Sequence, residues 1–267
     1  VYQLWKNASG SRILVEKGVP VTYLTPPAPF SGNSLDYSHD SMAHSLSIGS
    51  NKGVSLRNGS LKLGSGSDKI TLAGKVETSS VALGEGHNVL NIGGEVTGRQ
   101  LLSDSRMDAA GTSWTKHVAW TVLSAGNGND VVNLHGDAED GVRISLRNGN
   151  NRLTAGRDME YVQATAGSGH DSLVVKGETD DLIANLGHGN NTLTFYQSVD
   201  ESVIHTGNGA DKLTVHGSLE DSSLVLGGGN DWLYAREVEH SRISLGEGND
   251  GMRVNGVLSG HVAAENG

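Results

Sequence analysis

The chain has 267 residues, of which 38 are Gly, and it contains no Cys, four Pro and only 4% aromatic residues. This glycine content is about twice the typical usage and lacks the three-residue period of collagen, which favours an array of thin stacked units with many turns. A formal net charge of −10 argues against nucleic acid as a partner, and no apolar run approaches the length of a transmembrane segment.

Residues 1 to 45 differ from the rest of the chain. They contain all four prolines and three short runs typical of strands, YQLW, RILV and VTYL. The open end of a stacked β-structure has unpaired strand edges that must be covered. We therefore expect residues 1–45 to form an irregular N-terminal cap or the junction to a preceding domain.

Residues 46–267 contain a glycine-rich motif that recurs about every 20 residues. After each motif apolar and polar residues alternate, as at Leu213 and Val215, and a second short strand precedes the next motif. The copies are LGSGSDKI from residue 63, LGEGHNVL from 83, AGNGNDVV from 125, LRNGNNRL from 146, AGSGHDSL from 166, LGHGNNTL from 186, TGNGADKL from 206, LGGGNDWL from 226 and LGEGNDGM from 245. A period of two indicates strands with one buried face.

These repeats predict an all-β fold, a right-handed parallel β-helix or β-roll solenoid of about ten coils. The 42-residue interval between the motifs at 83 and 125 predicts a degenerate coil near 103–124, in which Asp108 keeps the spacing. The chain ends in AENG, which matches the start of another motif, so we expect a truncation within a further repeat.

The sixth motif position always holds Asp or Asn, and coil stacking would place these side chains in one file. Neighbouring carboxylates about 5 Å apart would repel each other by about 1 to 3 kcal/mol. One interpretation is that several Ca²⁺ ions offset this repulsion, bound by carboxylates and by carbonyl groups of the turns. The candidate ligands are Asp68, Asp130, Asp171, Asp211, Asp231 and Asp250, with the turn residues Gly207, Gly209, Gly227, Gly229, Gly246 and Gly248.

The other interpretation is a ladder without metal, in which the Asp and Asn side chains bond to backbone groups. The Asn residues at positions 88, 151 and 191 favour this ladder locally, because each removes one negative charge. Both interpretations stay open at the level of sequence.

The repeated G-x-G-x-D-x-L pattern over residues 63–252 resembles the RTX (hemolysin-type) calcium-binding repeats, although its period is near 20 rather than nine. The resemblance implies a calcium-binding module, not an enzyme, of a larger secreted bacterial toxin, adhesin or effector. Such a module would fold and stiffen when Ca²⁺ binds. It would be extracellular or on the cell surface, with a host-surface protein or glycan as a further partner.

Two alternatives to this function remain. One is a metal-free β-helix that binds or modifies polysaccharide, and the other is a structural or protein-docking stalk. A second acidic column at the opposite turn is interpreted as a solvated edge or as a weak cation-binding or docking stripe; it comprises Glu77, Glu139, Glu160, Asp180, Asp200 and Glu220.

Overall fold

The protein is a parallel β-solenoid of about ten coils, as the repeat predicts. The computed structural model describes residues 2–6, 12–16, 30–31, 34–39, 41–49, 53–101 and 117–265. Every regular element in these ranges is a β-strand. Within the solenoid the strands pair in parallel with the equivalent strands of the next coil, so that Leu193 lies beside Leu213 and Leu213 beside Leu233. A coil is only one strand thick, so its inward apolar side chains are fully buried only when neighbouring coils stack on both sides.

Each coil contributes to three parallel sheets. Sheet 1 follows the glycine-rich turn and contains Ser45–Ile48, Lys69–Leu72, Val89–Ile92, Val131–Leu134, Arg152–Ala155, Ser172–Val175, Thr192–Phe195, the first parts of Lys212–Glu220 and Trp232–Glu247, and Gly251–Val254. Sheet 2 contains Phe30–Ser31, Val54–Arg57, Lys75–Glu77, Val96–Thr97, Ala138–Glu139, Met159–Glu160, Thr179–Asp180, Val199–Asp200 and later parts of Lys212–Glu220, Trp232–Glu247 and Leu258–Glu265.

Sheet 3 leads back to the next glycine-rich turn. It contains Ser34–Asp36, Ser60–Lys62, Ser80–Ala82, Thr121–Ser124, Val142–Ser145, Val162–Thr165, Ile183–Asn185, Val203–His205, Ser223–Val225 and the last parts of Trp232–Glu247 and Leu258–Glu265. Parallel pairing in sheets 2 and 3 thus begins ahead of residue 46, within the segment expected to form the cap.

The core is a set of apolar columns that run along the solenoid. Alternate residues of each strand point inward, and Leu173, Leu193, Leu213 and Leu233 are all fully buried in one such column. A fully buried side chain of this size contributes about 1.5–3 kcal/mol. The core is mostly aliphatic, and Phe195 is its largest fully buried side chain.

The corner between sheets 2 and 3 has left-handed backbone at residues other than glycine. These residues have φ between 41° and 58° and form one column: Asn58, Thr78, Asp140, Tyr161, Asp181, Glu201, Asp221 and His240. This conformation is uncommon for residues with a side chain, and the repeated corner imposes it on successive coils.

The interval from residue 83 to residue 125 holds one coil and not two. Asn88 and Asp130 belong to adjacent coils, because Val89 pairs directly with Val131. The intervening chain leaves the stack through an antiparallel pair, Arg99–Leu101 with His117–Ala119. Asp108 lies outside the described residues. The coil count is still about ten because Ser45–Ile48 supplies a coil before the first motif.

A second antiparallel pair, Tyr2–Lys6 with Arg12–Glu16, precedes the solenoid. It matches two of the runs expected to form strands near the N-terminus. The described residues contain no helix, and thus no helix able to cross a membrane.

Candidate metal site at the stacked turns

The glycine-rich turn connects sheet 3 to sheet 1 and directs its sixth residue into the solenoid. Asp130 is fully buried, and Asp231 is only 2% exposed. Glycine is required because adjacent turns approach closely: a Cβ atom on Gly209, where φ is +143°, would lie 2.1 Å from the carbonyl oxygen of Gly189. The motif thus places a carboxylate or amide at the same buried point of each coil.

The Asp and Asn side chains form a continuous hydrogen-bonded file. In each step the backbone N–H of one coil donates to Oδ1 of the Asp or Asn in the next coil. The bond from Asp171 to Asn191 measures 3.0 Å, that from Asn191 to Asp211 2.6 Å, and that from Asp211 to Asp231 2.7 Å. The same contact recurs from Asp68 to Asp250. The ladder interpretation is therefore correct for Oδ1, whether the residue is Asp or Asn.

The second terminal atom distinguishes the two residues. In the Asn coils it is Nδ2, which donates to carbonyl oxygens of its own turn. The Nδ2 of Asn191 is 3.2 Å from the Gly187 oxygen and 3.0 Å from the Gly189 oxygen. Asn88 and Asn151 make equivalent bonds. An amide donor facing carbonyl acceptors satisfies this buried position completely.

In the Asp coils the second atom is Oδ2, an acceptor. Because Oδ1 makes the same contact in both kinds of coil, Oδ2 takes the place that Nδ2 occupies in an Asn coil. Among the described residues the Oδ2 atom is buried and has no hydrogen-bond partner at Asp130, Asp171, Asp211, Asp231 and Asp250. A buried acceptor without a partner costs about 1–3 kcal/mol, and more when it is charged.

Burial also changes the acidity of this file. It raises the pKa of Asp130, Asp171 and Asp211, although the backbone N–H and the nearby Asn side chain of the preceding coil oppose the change, as does the Thr206 side chain at Asp211. Burial is also the main cause at Asp231, where the negative charges of Asp211 and Asp250 add to it and the pKa rises to about 6. The file therefore favours either a proton or a cation beside these carboxylates.

A hard divalent cation fits this donor set. The residues supply carboxylate oxygens and, by analogy with the Asn coils, turn carbonyl oxygens, which are the ligands that Ca²⁺ prefers. The predicted glycines Gly207, Gly209, Gly227, Gly229, Gly246 and Gly248 all belong to the turns that hold Asp211, Asp231 and Asp250. The structure thus brings these predicted residues together in three adjacent turns.

Asp68 lies at the start of the file and has a different neighbour. Its Oδ1 accepts from the backbone N–H of His44 at 2.6 Å and lies 3.1 Å from the His44 Nδ1. His44 is buried, and its ring lies 4.8 Å from that of Tyr37, centroid to centroid, in a tilted arrangement. Sequence reasoning missed this role because His44 precedes the first glycine-rich motif.

A second buried ladder, also missed from the sequence, runs along the corner between sheets 2 and 3. Backbone N–H groups donate to the hydroxyl oxygens of Ser202, Ser222 and Ser241 in the following coil, at 3.0 to 3.1 Å. Each hydroxyl in turn donates to a carbonyl of its own coil. The recurrence of Ser at intervals near 20 was the available signal.

The second acidic column lies in register on sheet 2. Glu160 pairs with Asp180, Asp180 with Asp200, and Glu220 with Glu239, as the repeat predicts. Asp180, Asp181 and Glu201 are exposed, and their oxygens lie within 4.8 Å of one another. Such a cluster is a common feature of acidic surfaces. Burial and a hydrogen bond to Glu95 raise the pKa of Glu139 to about 7.

Comparisons with known proteins gave limited matches. No protein-family model matches the chain, and the search of curated proteins found no match. One solved structure, the X-ray crystal structure of a hyperactive, Ca²⁺-dependent, β-helical antifreeze protein from an Antarctic bacterium, shares 19% sequence identity. The alignment covers 88% of this chain and 80% of that chain, with a TM-score of 0.43.

The fold and the stacked turns define the class of this protein. It is a parallel β-solenoid repeat protein with a buried, hydrogen-bonded Asp/Asn file along one corner.

Proposed function

We propose that this chain is a calcium-binding β-solenoid module in which Ca²⁺ binds at the stacked turns whose sixth residue is Asp. One observation carries the proposal. The buried Oδ2 atom of each such Asp takes the place where the amide of an Asn coil donates to carbonyl oxygens, and it has no partner among the described residues. A bound cation would supply the missing positive charge.

Calcium fits this position better than magnesium. Ca²⁺ accepts six to eight oxygen ligands in flexible geometry, whereas Mg²⁺ requires a near-ideal octahedron and retains several of its waters. Asp211, Asp231 and Asp250 lie on three consecutive coils, so their turns have the greatest negative charge. From Asp130 to Asn191 the file alternates between Asp and Asn, which halves the charge, and we expect weaker sites there.

The module would gain stability and stiffness when Ca²⁺ binds, because a ligand that binds only the folded state stabilises it. The recurring glycine-rich turns support a place for the module in a larger secreted bacterial protein of RTX-like type, such as a toxin, adhesin or effector. In this proposal the module is not itself an enzyme.

The test is a calcium titration followed by thermal unfolding and calorimetry. We expect a large rise in melting temperature between EDTA and Ca²⁺, since one site contributes about 2.7 kcal/mol when free Ca²⁺ is about 100 times its Kd. The variant Asp211→Asn/Asp231→Asn/Asp250→Asn should lose most of this rise yet remain folded in EDTA, because Asn already occupies this position in other coils.

The matched control is Asp180→Asn/Asp181→Asn/Glu201→Gln, which removes three charges from the exposed cluster on sheet 2. It should keep the calcium response. Identical melting curves for the wild-type protein in EDTA and Ca²⁺ would overturn the proposal, and so would a calcium response lost only in the control.

A further inference from the structure

The outer face of sheet 1 has no acidic residue in any of its described coils. Its outward positions are the first and third residues of each strand and the residue that follows the strand. These positions hold Ser, Thr, Asn, Val, Ala, Gly, basic and aromatic residues. This composition contrasts with a formal net charge of −10 and with the acidic column on sheet 2.

Aromatic side chains form a strip across three adjacent coils of this face. Tyr196 is 52% exposed, and its ring stacks on His216 with a centroid distance of 5.3 Å. His216 lies 6.2 Å from Tyr234 in the next coil. Contiguous exposed rings of this kind are typical of interaction surfaces.

Trp232 lies on the same face, beside this strip. It is 45% exposed, and a Cβ atom on Gly251 would lie 2.2 Å from its ring. The Cε3–Cζ3 edge of the indole ring therefore occupies the space beside Gly251 that a larger residue would fill.

Cationic side chains accompany the aromatic rings. Lys212, Arg236 and Arg253 are exposed on three consecutive coils, and Lys176 extends the set. Among the described residues Lys212 has no acidic partner within 4.0 Å, and Arg236 has only Glu237 at 3.7 Å. These residues are far apart in the sequence, but the solenoid gathers them on one face.

We propose that this face, defined by Tyr196, Lys212, Trp232, Tyr234, Arg236 and Arg253, binds a linear polysaccharide whose sugars carry carboxylate groups, a polyuronate. The negative π faces of Trp and Tyr attract the C–H groups of pyranose rings, and Lys and Arg pair with the carboxylates. The inference does not depend on calcium binding at the turns.

Charge density favours a polyuronate over nucleic acid. The face offers about one cation per coil, and coils are about 4.8 Å apart. A duplex carries a phosphate charge about every 1.7 Å of its axis and is bound by denser Lys and Arg clusters. A polymer with one negative charge per sugar matches the wider spacing of the cations on sheet 1. The acidic column would repel the same polymer from sheet 2.

The experiment uses calorimetry with a purified oligogalacturonate, at fixed ionic strength and fixed Ca²⁺ concentration. The same oligomer with its carboxylates reduced to alcohols is the ligand control. Trp232→Thr and Lys212→Thr copy Thr192, which occupies the same column, so both should fold normally. Arg242→Gln is the matched control, because Arg242 is exposed on sheet 3 of the same coil as Trp232.

We expect the oligogalacturonate to bind and the reduced oligomer to bind at least about tenfold more weakly. Trp232→Thr and Lys212→Thr should each weaken binding by about tenfold, with unchanged melting temperatures, while Arg242→Gln should bind like the wild-type protein. Absence of binding, equal losses in all three variants, or tighter binding to an oligothymidylate of equal charge would each overturn the inference.

Discussion

The coil of Asn191 and the coils of Asp211, Asp231 and Asp250 have the same turn, and at its sixth position Asn and Asp differ by one terminal atom. In both kinds of coil, Oδ1 accepts a hydrogen bond from a backbone N–H of the preceding coil. In the Asn coil Nδ2 is satisfied by two turn carbonyls, whereas in the Asp coils Oδ2 has no partner among the described residues. The comparison teaches that the file links the coils at every step, while in the described part of the chain only the Asp coils leave a buried acceptor unbonded, which is where the proposed Ca²⁺ would bind.

The largest expected effect comes from breaking the turn that both kinds of coil share. Gly189→Ala would place a Cβ atom 1.8 Å from the Gly169 oxygen at a φ of +124°. We expect the free energy of unfolding to fall by on the order of 3 kcal/mol, in EDTA and in Ca²⁺ alike. Urea unfolding followed by circular dichroism measures this change.

Gly228→Ala is the control for this substitution. A Cβ atom at Gly228 would lie 3.4 Å from its nearest neighbour, and Gly228 has no positive φ. The free energy of unfolding of this variant should therefore change by less than about 1 kcal/mol. Equal effects at both positions would contradict the role assigned to close approach of the turns.

A smaller effect is expected when an Asn coil is converted into an Asp coil. Asn191→Asp replaces a donor by an acceptor that faces the Gly187 and Gly189 oxygens, so stability in EDTA should fall by about 1–3 kcal/mol. Calcium should restore part of this loss, since the coil then resembles its neighbours. Thermal melts in EDTA and in Ca²⁺ test both parts.

Asn190→Asp makes the same charge change one residue earlier, where the side chain is exposed and accepts from the Ala210 N–H. We expect it to change stability by less than about 0.5 kcal/mol. If Asn190→Asp and Asn191→Asp were equally destabilising, net charge and not the buried position would explain the loss.

The smallest effect is the pH dependence of the metal-free protein. The pKa of Asp231 is raised to about 6 in the folded state from an ordinary value of 3.8. A raised pKa contributes stability that is complete below the unfolded value and is lost as the pH rises through the folded value. In EDTA we therefore expect the melting temperature to fall between about pH 4 and pH 7.

Asp231→Asn should flatten part of this slope. Glu139→Gln separates the contribution of Glu139, whose pKa of about 7 has the same sign of effect. With Ca²⁺ the slope should weaken or reverse, because metal binding requires deprotonated carboxylates. If the melting temperature in EDTA depended on pH identically in the wild-type protein and Asp231→Asn, the Asp231 carboxyl would not have the raised pKa expected from its burial.

Much of the fold followed from periodicity. The inward columns around Leu213, the coil spacing and the stacking of Asp with Asn all depend on local alternation and repeat length, which the sequence displays directly. The prediction of two coils between residues 83 and 125 is wrong, because a length of 42 fits two coils as well as one coil with an insertion. Only the pairing of Val89 with Val131 distinguishes the two.

The candidate site was predictable in position but not in bonding. Spacing identified Asp231, but only the geometry showed that its two oxygens differ, one bonded and one not. The face around Trp232 was missed because its cations are scattered in the sequence and meet only through the register of the coils.

The two buried ladders have a common direction. The N–H of Asp211 is satisfied by Asp231 of the following coil, and the N–H of Ser202 by Ser222 of the following coil. A coil is therefore completed only by its successor. If the chain folds from its N-terminus, the last coil formed has two inward N–H groups without acceptors. Each coil added to the stack then supplies these acceptors for the coil before it.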